Sequence, residues 1–362
     1  MLPRAQTVRF AAPRAAVKNA ARPARCAILG CMPNVPSDTT FAPGPQALAP
    51  LPVGDARALA EAALGAIGQV LRGHDTVPRL VLAAVLARGH VLLEDVPGVG
   101  KTTLARAVAR ALGLSLSRIQ FTADMLPSDV LGVQILDVKT GQLVFRRGPI
   151  FAEMVLADEI NRASPKTQSA MLEAMGEARV TVEDTQHALP EFFCVLATQN
   201  PTEHHGAYPL PESQLDRFMI RASLGYPPAA DERALILAPE GPVQRLGTLT
   251  PALKPGELMA LRAAVRGVQM QPVVADYLLA IVQATRTHAD IALGCSPRGS
   301  LALASLARAW ALLQGRDFVL PDDIRETTVP VLGHRIMVAG ASGVAEREAL
   351  LRDVLQRVPV PR

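Results

Sequence analysis

Apolar residues recur at helical spacing between Ala56 and Leu71, with Leu59, Ala63, Ile67 and Val70 on one face, which predicts an amphipathic helix. Gly73-His74 break the pattern, and Val77–Ala87 reads as a second helix. The period then changes. Val91–Leu93, Ile119–Phe121, Met154–Ala157 and Phe192–Ala197 are short apolar runs of strand type, and helical stretches such as Lys166–Ala178 separate them. That alternation predicts an α/β fold with a mostly parallel sheet and helices on both faces. Residues 122–148 carry turns of their own: Val133–Asp137 and Gln142–Phe145 flank Lys139-Thr140-Gly141, a small hairpin. After Tyr226-Pro227-Pro228 the strand signals vanish. Asp231–Leu237, Gly256–Val265, Pro272–Ala289, Ser300–Leu313 and Pro321–Val329 read as helices of a second, smaller all-α domain. The expected division is an N-terminal extension over 1–52, an α/β core over 53–225 and a helical domain over 226–362.

Composition changes this picture at the amino terminus. The pI of about 9.1 invites a nucleic-acid reading, yet residues 1–37 hold six bases (Arg4, Arg9, Arg14, Lys18, Arg22, Arg25) and no acid. Beyond them, 31 bases face 33 acids, so the body is close to neutral and lacks a basic stripe. The tail lacks the apolar centre of a secretory signal. It reads as a disordered extension, an organelle-type presequence or a translation start placed too early, with Met32 as a later start; disorder or a misplaced start is the favoured expectation. The 362 residues (38.4 kDa) suffice for two ordinary domains. No apolar run approaches a bilayer span, and the longest, around Leu80–Leu93, is interrupted by Arg88 and His90, so no membrane insertion is expected. Cys26, Cys31, Cys194 and Cys295 form no C-x-x-C pair, which suits a reducing, cytoplasmic setting. The seven histidines are scattered, and His204-His205 has no partnering carboxylate pattern, so a histidine metal site is not expected.

The chemistry is concentrated in VLLEDVPGVGKTTLARAVARAL, residues 91–112. An apolar strand, a Gly/Pro loop and an immediate helix form the context of a phosphate-binding loop. Backbone N–H groups and the positive end of the helix dipole face phosphate, Lys101 reaches the outer phosphates, and the Thr102 hydroxyl joins Mg²⁺. The candidate nucleotide-binding stretch is Pro97, Gly98, Val99, Gly100, Lys101, Thr102 and Thr103. One position departs from the strict G-x-x-x-x-G-K-[ST] pattern, where Asp95 replaces the first glycine. A carboxylate beside bound phosphate would repel it, so Asp95 is expected to face away. Val155–Ala157 should deliver Asp158 to the carboxyl end of a central strand, where it would orient Mg²⁺. Glu159, pointing elsewhere, is placed to polarise the attacking water. Asn200 ends the next apolar strand; it either caps a turn before Pro201 or reaches the water or γ-phosphate. Arg217 and Arg298 stand at loop or helix-start positions and are candidates for stabilising charge on the transferring phosphoryl group. Arg162 and Lys166 read equally as interface residues or as a solvated helix start. Trp310, on an apolar helix face with Leu303, Leu306 and Leu313, reads as core.

VLLEDVPGVGKT, FTADMLPSDVLG, GPIF, LADEINRASPKTQSAMLEAM, ATQNP, LPESQLDRF and CSPRGSLAL, in that order over roughly residues 66–350, resemble the MoxR family of AAA+ ATPases. The resemblance implies an AAA+ αβα core with a parallel sheet and a helical lid, with nucleotide between them. It places Lys101 and Thr102 in Walker A, Asp158 and Glu159 in Walker B, and Asn200 at sensor 1. It places Arg217 as an arginine finger offered to the neighbouring subunit and Arg298 at sensor 2. On this view Gly98–Thr102, Asp158, Glu159, Asn200 and Arg298 form one site. Residues 122–148 match the family's insert within helix 2, and Gly73 falls near the adenine. AAA+ loops often read x-x-P-G-x-G-K-T, so the departure at Asp95 lies outside the tight wrap. The implied activity is ATP hydrolysis with ATP and Mg²⁺ in a ring, a homo-hexamer, that remodels partner proteins or assists metal-cofactor maturation. A frequent partner in the family carries a von Willebrand A domain; this chain has no D-x-S-x-S motif, so such a domain would sit on another polypeptide. The alternatives are a nucleic-acid motor of helicase or clamp-loader type, against which the neutral body speaks, and a slow nucleotide-dependent scaffold.

Overall fold

The computed structural model describes residues 51–200, 208–239, 241–338, 340 and 343–361. The N-terminal tail, Cys26, Cys31 and His204-His205 lie outside these residues. Two helices open the described chain, α1 (Val53–Val70) and α2 (Thr76–Leu86), followed by β1 (Val91–Glu94), α3 (Lys101–Ala111) and β2 (Leu116–Gln120). A short helix α4 (Pro127–Leu131) leads into the hairpin β3 (Gly132–Asp137) and β4 (Gln142–Arg147). Then come β5 (Met154–Asp158), α5 (Pro165–Glu177), a second hairpin of β6 (Arg179–Val182) and β7 (Thr185–Ala188), and β8 (Cys194–Gln199). The short helix α6 (Glu212–Leu215) precedes β9 (Ile220–Ala222). The remainder is α7 (Ala229–Leu237), α8 (Pro242–Thr248), α9 (Glu257–Gly267), α10 (Pro272–Thr287), β10 (Ile291–Leu293), α11 (Pro297–Leu313), α12 (Pro321–Leu332), β11 (Met337–Val338) and α13 (Val344–Arg357).

Five strands form one sheet in the order β2-β5-β8-β1-β9, and every pairing is parallel. β5 is buried along its whole length and β8 in all but its last residue, as central strands covered on both faces must be. Side chains alternate between two cores. Val91, Leu93, Met154, Leu156, Cys194 and Leu196 join α1, α2, α3 and the C-terminal helices. Leu92, Val155, Ala157, Val195 and Ala197 join α5 and the loop side. Local chemistry starts the key helices: Ser164 accepts from Thr167 N at 3.3 Å with Pro165 behind it, and Ser296 accepts from Gly299 N at 3.2 Å before Pro297.

The expected hairpin is present with Val133 opposite Arg146 and Asp137 opposite Gln142. Trp310 is buried, and its indole N–H donates to Glu326 Oε2 at 2.6 Å. The β6–β7 hairpin and β9 were not among the expected elements. Nor was a ribbon of β10 with β11 inside the helical portion, where Ile291 pairs with Val338. These strands are two to four residues long, too short for a period of two to stand out.

Candidate active site

The loop between β1 and α3 emerges with β8 on one side and β9 on the other. Gly98 and Gly100 take φ of +87° and +103°, the left-handed turn that a side chain resists, and α3 begins at Lys101. Asp95 is a peg for this loop. Its Oδ2 accepts from Ser223 Oγ (2.9 Å) and Gly225 N (2.7 Å), while Oδ1 accepts from Val96 N (3.0 Å). The carboxylate is buried toward the exit of β9 and turned from the loop's concave side, as expected.

A cleft of about 310 Å³ gathers Pro97, Gly98, Gly100, Lys101, Thr102, Thr103, Asp158, Glu159 and Asn200. The Lys101 ammonium lies across loop carbonyls, donating to Asp95 O, to Val96 O at 3.3 Å and to Gln199 O at 3.5 Å. Asp158 is buried; Thr198 Oγ1 donates to its Oδ1 at 2.6 Å and Arg118 Nη2 to its Oδ2 at 2.7 Å. Glu159 sits at φ +57°, a left-handed conformation that costs a non-glycine residue about 1–2 kcal/mol. Its N–H is held by Thr198 Oγ1 at 3.0 Å. Its Oε2 receives Gln120 Nε2 at 2.9 Å and lies 3.0 Å from Arg162 Nε. Thr198, Arg118 and Gln120 are thus members of the cleft that sequence reasoning missed. The usable signal was register: Gln120 pairs with Asp158, and Arg118 with Leu156, across β2 and β5.

Val99 packs its side chain on the apolar core. Gly73, at φ +78°, lies against α7, where an added β-carbon would fall 2.9 Å from Asp231 Oδ2 and from Pro228 Cδ.

Arg298 is the larger correction. It does not enter the Lys101 cleft but lines a second one, of about 280 Å³, together with Arg217, His90, Met175, Asp216 and Arg335. Arg217 Nη1 donates to Leu172 O and lies so close over Gly176 that a β-carbon there would collide with it. Asp216 ties this region to the C-terminal helices. Its Oδ1 accepts from Arg335 Nε at 2.7 Å, and Ser296 Oγ reaches its Oδ2 at 3.2 Å. Arg335 also donates to the carbonyls of Phe218 (2.6 Å) and Met219 (3.0 Å), and His334 Nε2 to Phe218 O at 2.9 Å. Burial lowers the pKa of Arg335, against its hydrogen bond to Asp216, which raises it. His90 accepts from Val195 N at Nδ1 (3.0 Å), so its Nε2–H donates to Met175 O (3.1 Å), and burial holds it neutral with a pKa of about 4.

A parallel sheet with a glycine loop, lysine, threonine and paired acids at its carboxyl edge, followed by helices latched to the sheet through Asp216, defines an AAA+ type of ATPase. The profile of the ATPase family associated with various cellular activities (AAA) matches residues 90–220, and that of the AAA lid domain matches 283–354. An uncharacterized protein, YeaC, of Bacillus subtilis is 47% identical over 298 residues, which are 82% of this chain and 92% of the relative. Chaperone MoxR1 of Mycobacterium tuberculosis is 38% identical over 83% of this chain and 82% of its own. A candidate ATPase of Cytophaga hutchinsonii, known from its crystal structure, superposes with a TM-score of 0.75 at 33% identity, covering 86% of this chain and 97% of that one. The chain belongs to the MoxR family of AAA+ ATPases.

Proposed function

We propose that the chain hydrolyses ATP to ADP and phosphate between neighbouring copies of a ring, a homo-hexamer, and uses the cycle to remodel a partner protein. The observation that carries this reading is the separation of the two clefts. Lys101, Thr102, Asp158, Glu159 and Asn200 converge in one, whereas Arg217 and Arg298 converge in another.

In the first cleft the loop N–H groups and the α3 N-terminus bind phosphate oxygens, and Lys101 exchanges its loop carbonyls for the outer phosphates. Thr102 and Asp158 would hold Mg²⁺, which supplies charge neutralisation on the phosphates. Among the described residues no cluster of three or more His, Cys, Asp or Glu could hold an ion by itself. A hydroxyl plus one carboxylate suits an ion that keeps phosphate and water ligands. Glu159 orients the attacking water and takes its proton, and Asn200 donates to that water or to the γ-phosphate. Arg217 and Arg298 of the next copy supply the cations for the transition state. Asp216 then couples chemistry to motion, because it joins the Arg217 turn to Arg335, Ser296 and Arg298 on the C-terminal helices.

The name of the mycobacterial relative, a chaperone, supports chaperone-like work; the forms to test are remodelling or metal-cofactor maturation of a client, with a von Willebrand A protein on a separate chain as partner. Cys194 and Cys295 are buried free thiols, in keeping with a reducing cytoplasm, and no described helix is long and apolar enough to cross a membrane. The test is Glu159→Gln. It should retain ATP and hydrolyse it at least a hundredfold more slowly in single-turnover measurements; turnover near that of the unaltered chain would refute the assignment.

A further inference from the structure

Beside the Arg217 cleft, and continuous with it through Arg88 and Ser305, runs a groove of about 450 Å³ between the end of α2, α9 and α11. Four guanidiniums line it: Arg88, Arg262, Arg266 and Arg308. Among the described residues, the one carboxylate paired with any of them is Glu191, 3.6 Å from Arg88 on the exposed rim. Arg262 is 3% exposed, donates only to carbonyls (Val85 O at 2.9 and 3.2 Å, Glu191 O at 3.4 Å) and lies 4.1 Å over the Phe192 ring. Arg308 reaches one carbonyl of its own helix, at 3.5 Å. Among the described residues Arg266 makes no hydrogen bond or ion pair. Val265 and Met270 add apolar wall. A buried cation without a counter-charge is costly. The groove is therefore short of negative charge.

The complementary element is α7. None of its residues is buried, its first turn carries Asp231 and Glu232, and Ile236 and Leu237 are 78% and 69% exposed. Glu232 and Ile236 lie one turn apart and share a face, while Arg233 projects about 100° away. This helix is on the nucleotide side of the molecule. Asp231 abuts Gly73, two residues beyond Leu71, and Leu71 in turn abuts Gly100 of the phosphate loop. Within one copy α7 packs beside Gly73 and leaves Ile236 and Leu237 exposed, while the groove adjoins the arginine cleft.

We infer that α7 of one copy seats in the α2–α9–α11 groove of the next, Glu232 against Arg266 and Arg308 and Ile236 against Val265 and Met270. The contact is head-to-tail, the type that closes rings. It rests on the ring reading above, and adds to it a surface that aligns the arginine cleft of one copy with the phosphate cleft of its neighbour.

Sedimentation of the full chain with a slowly hydrolysed ATP analogue tests it. Arg266→Glu and Glu232→Arg, both at exposed positions, should each raise the protein concentration needed for half-assembly by roughly tenfold or more. The two together in one chain should recover to within about threefold of the original. Ile236→Asp, which leaves the groove untouched, should weaken assembly to a similar degree, with thermal melts confirming that each variant folds. A chain that stays monomeric without substitution overturns both the ring and this contact. A ring that Arg266→Glu leaves intact overturns the contact alone. Single variants that weaken the ring with no recovery in the double overturn the pairing. An unchanged ring whose Arg266→Glu form loses affinity for pyrophosphate assigns the groove to a small anion and overturns it as well.

Discussion

The acids of the Lys101 cleft, Asp158 and Glu159, stand together at the end of β5, and Thr198 and Asn200 reach it from the neighbouring β8, while the groups around Arg217 come from the α6–β9 turn, the start of α11 and the end of α12. The first cleft is a property of one sheet edge. The second exists only because the C-terminal helices pack against the sheet and Arg335 threads into the carbonyls of Phe218 and Met219. The groups of the first cleft thus hang on buried central strands paired on both sides. Arg217 and Arg298, the cations proposed for the transition state, sit where a shift of the C-terminal helices would move them.

The largest expected effect comes from separating the clefts between chains. Arg217→Ala alone should lose on the order of a thousandfold in turnover while keeping nucleotide, and Lys101→Ala should lose binding. Mixing the two inactive chains should restore measurable hydrolysis, since each supplies the cleft the other lacks; a mixture as inactive as its parts would mean that the arginine serves its own chain. Next in size is the latch. Arg335→Leu leaves Asp216 half-buried without its main partner and strips a donor from four carbonyls, so denaturant titration should register a loss of about 3–5 kcal/mol. Retained stability would show that apolar packing alone fixes the helices to the sheet.

The smallest effect is titration beneath Arg217. His90 has its pKa lowered to about 4 by burial, whereas in the unfolded chain it is near 6.5. Between those values only the unfolded chain binds the proton, so stability is full above pH 6.5, falls as pH drops through the window and levels off below 4. His90 alone should cost about 2 kcal/mol between pH 7 and pH 5. His334, also lowered by burial, adds in the same direction. His90→Gln should shrink the difference between unfolding curves at the two pH values by about that amount, and an unchanged difference would remove His90 as its source.

Much of the phosphate cleft was legible because its residues are tied to short apolar runs. Lys101, Thr102, Asp158, Glu159 and Asn200 each follow a strand or loop whose composition announces it. Arg118, Gln120 and Thr198 were not legible. They lie inside strands, and their relevance depends on which strand neighbours which, a fact carried by pairings such as Gln120 with Asp158. Asp95 was legible as an oddity; that it serves as a peg for the β9 exit needed Ser223 and Gly225, more than a hundred residues away, to be brought beside it.

By itself the sequence determined the α/β core, the helical C-terminal part, the hairpin near residue 140 and the chemistry at the strand ends, because periodicity and loop composition act over a few residues. Only the tertiary structure decided that Arg298 stands with Arg217 and apart from Lys101, and that Arg262, Arg266 and Arg308 share a groove while α7 is left uncovered. Those facts depend on how helices distant in the chain pack, and packing is settled by the fit of whole apolar faces, which no local spacing encodes.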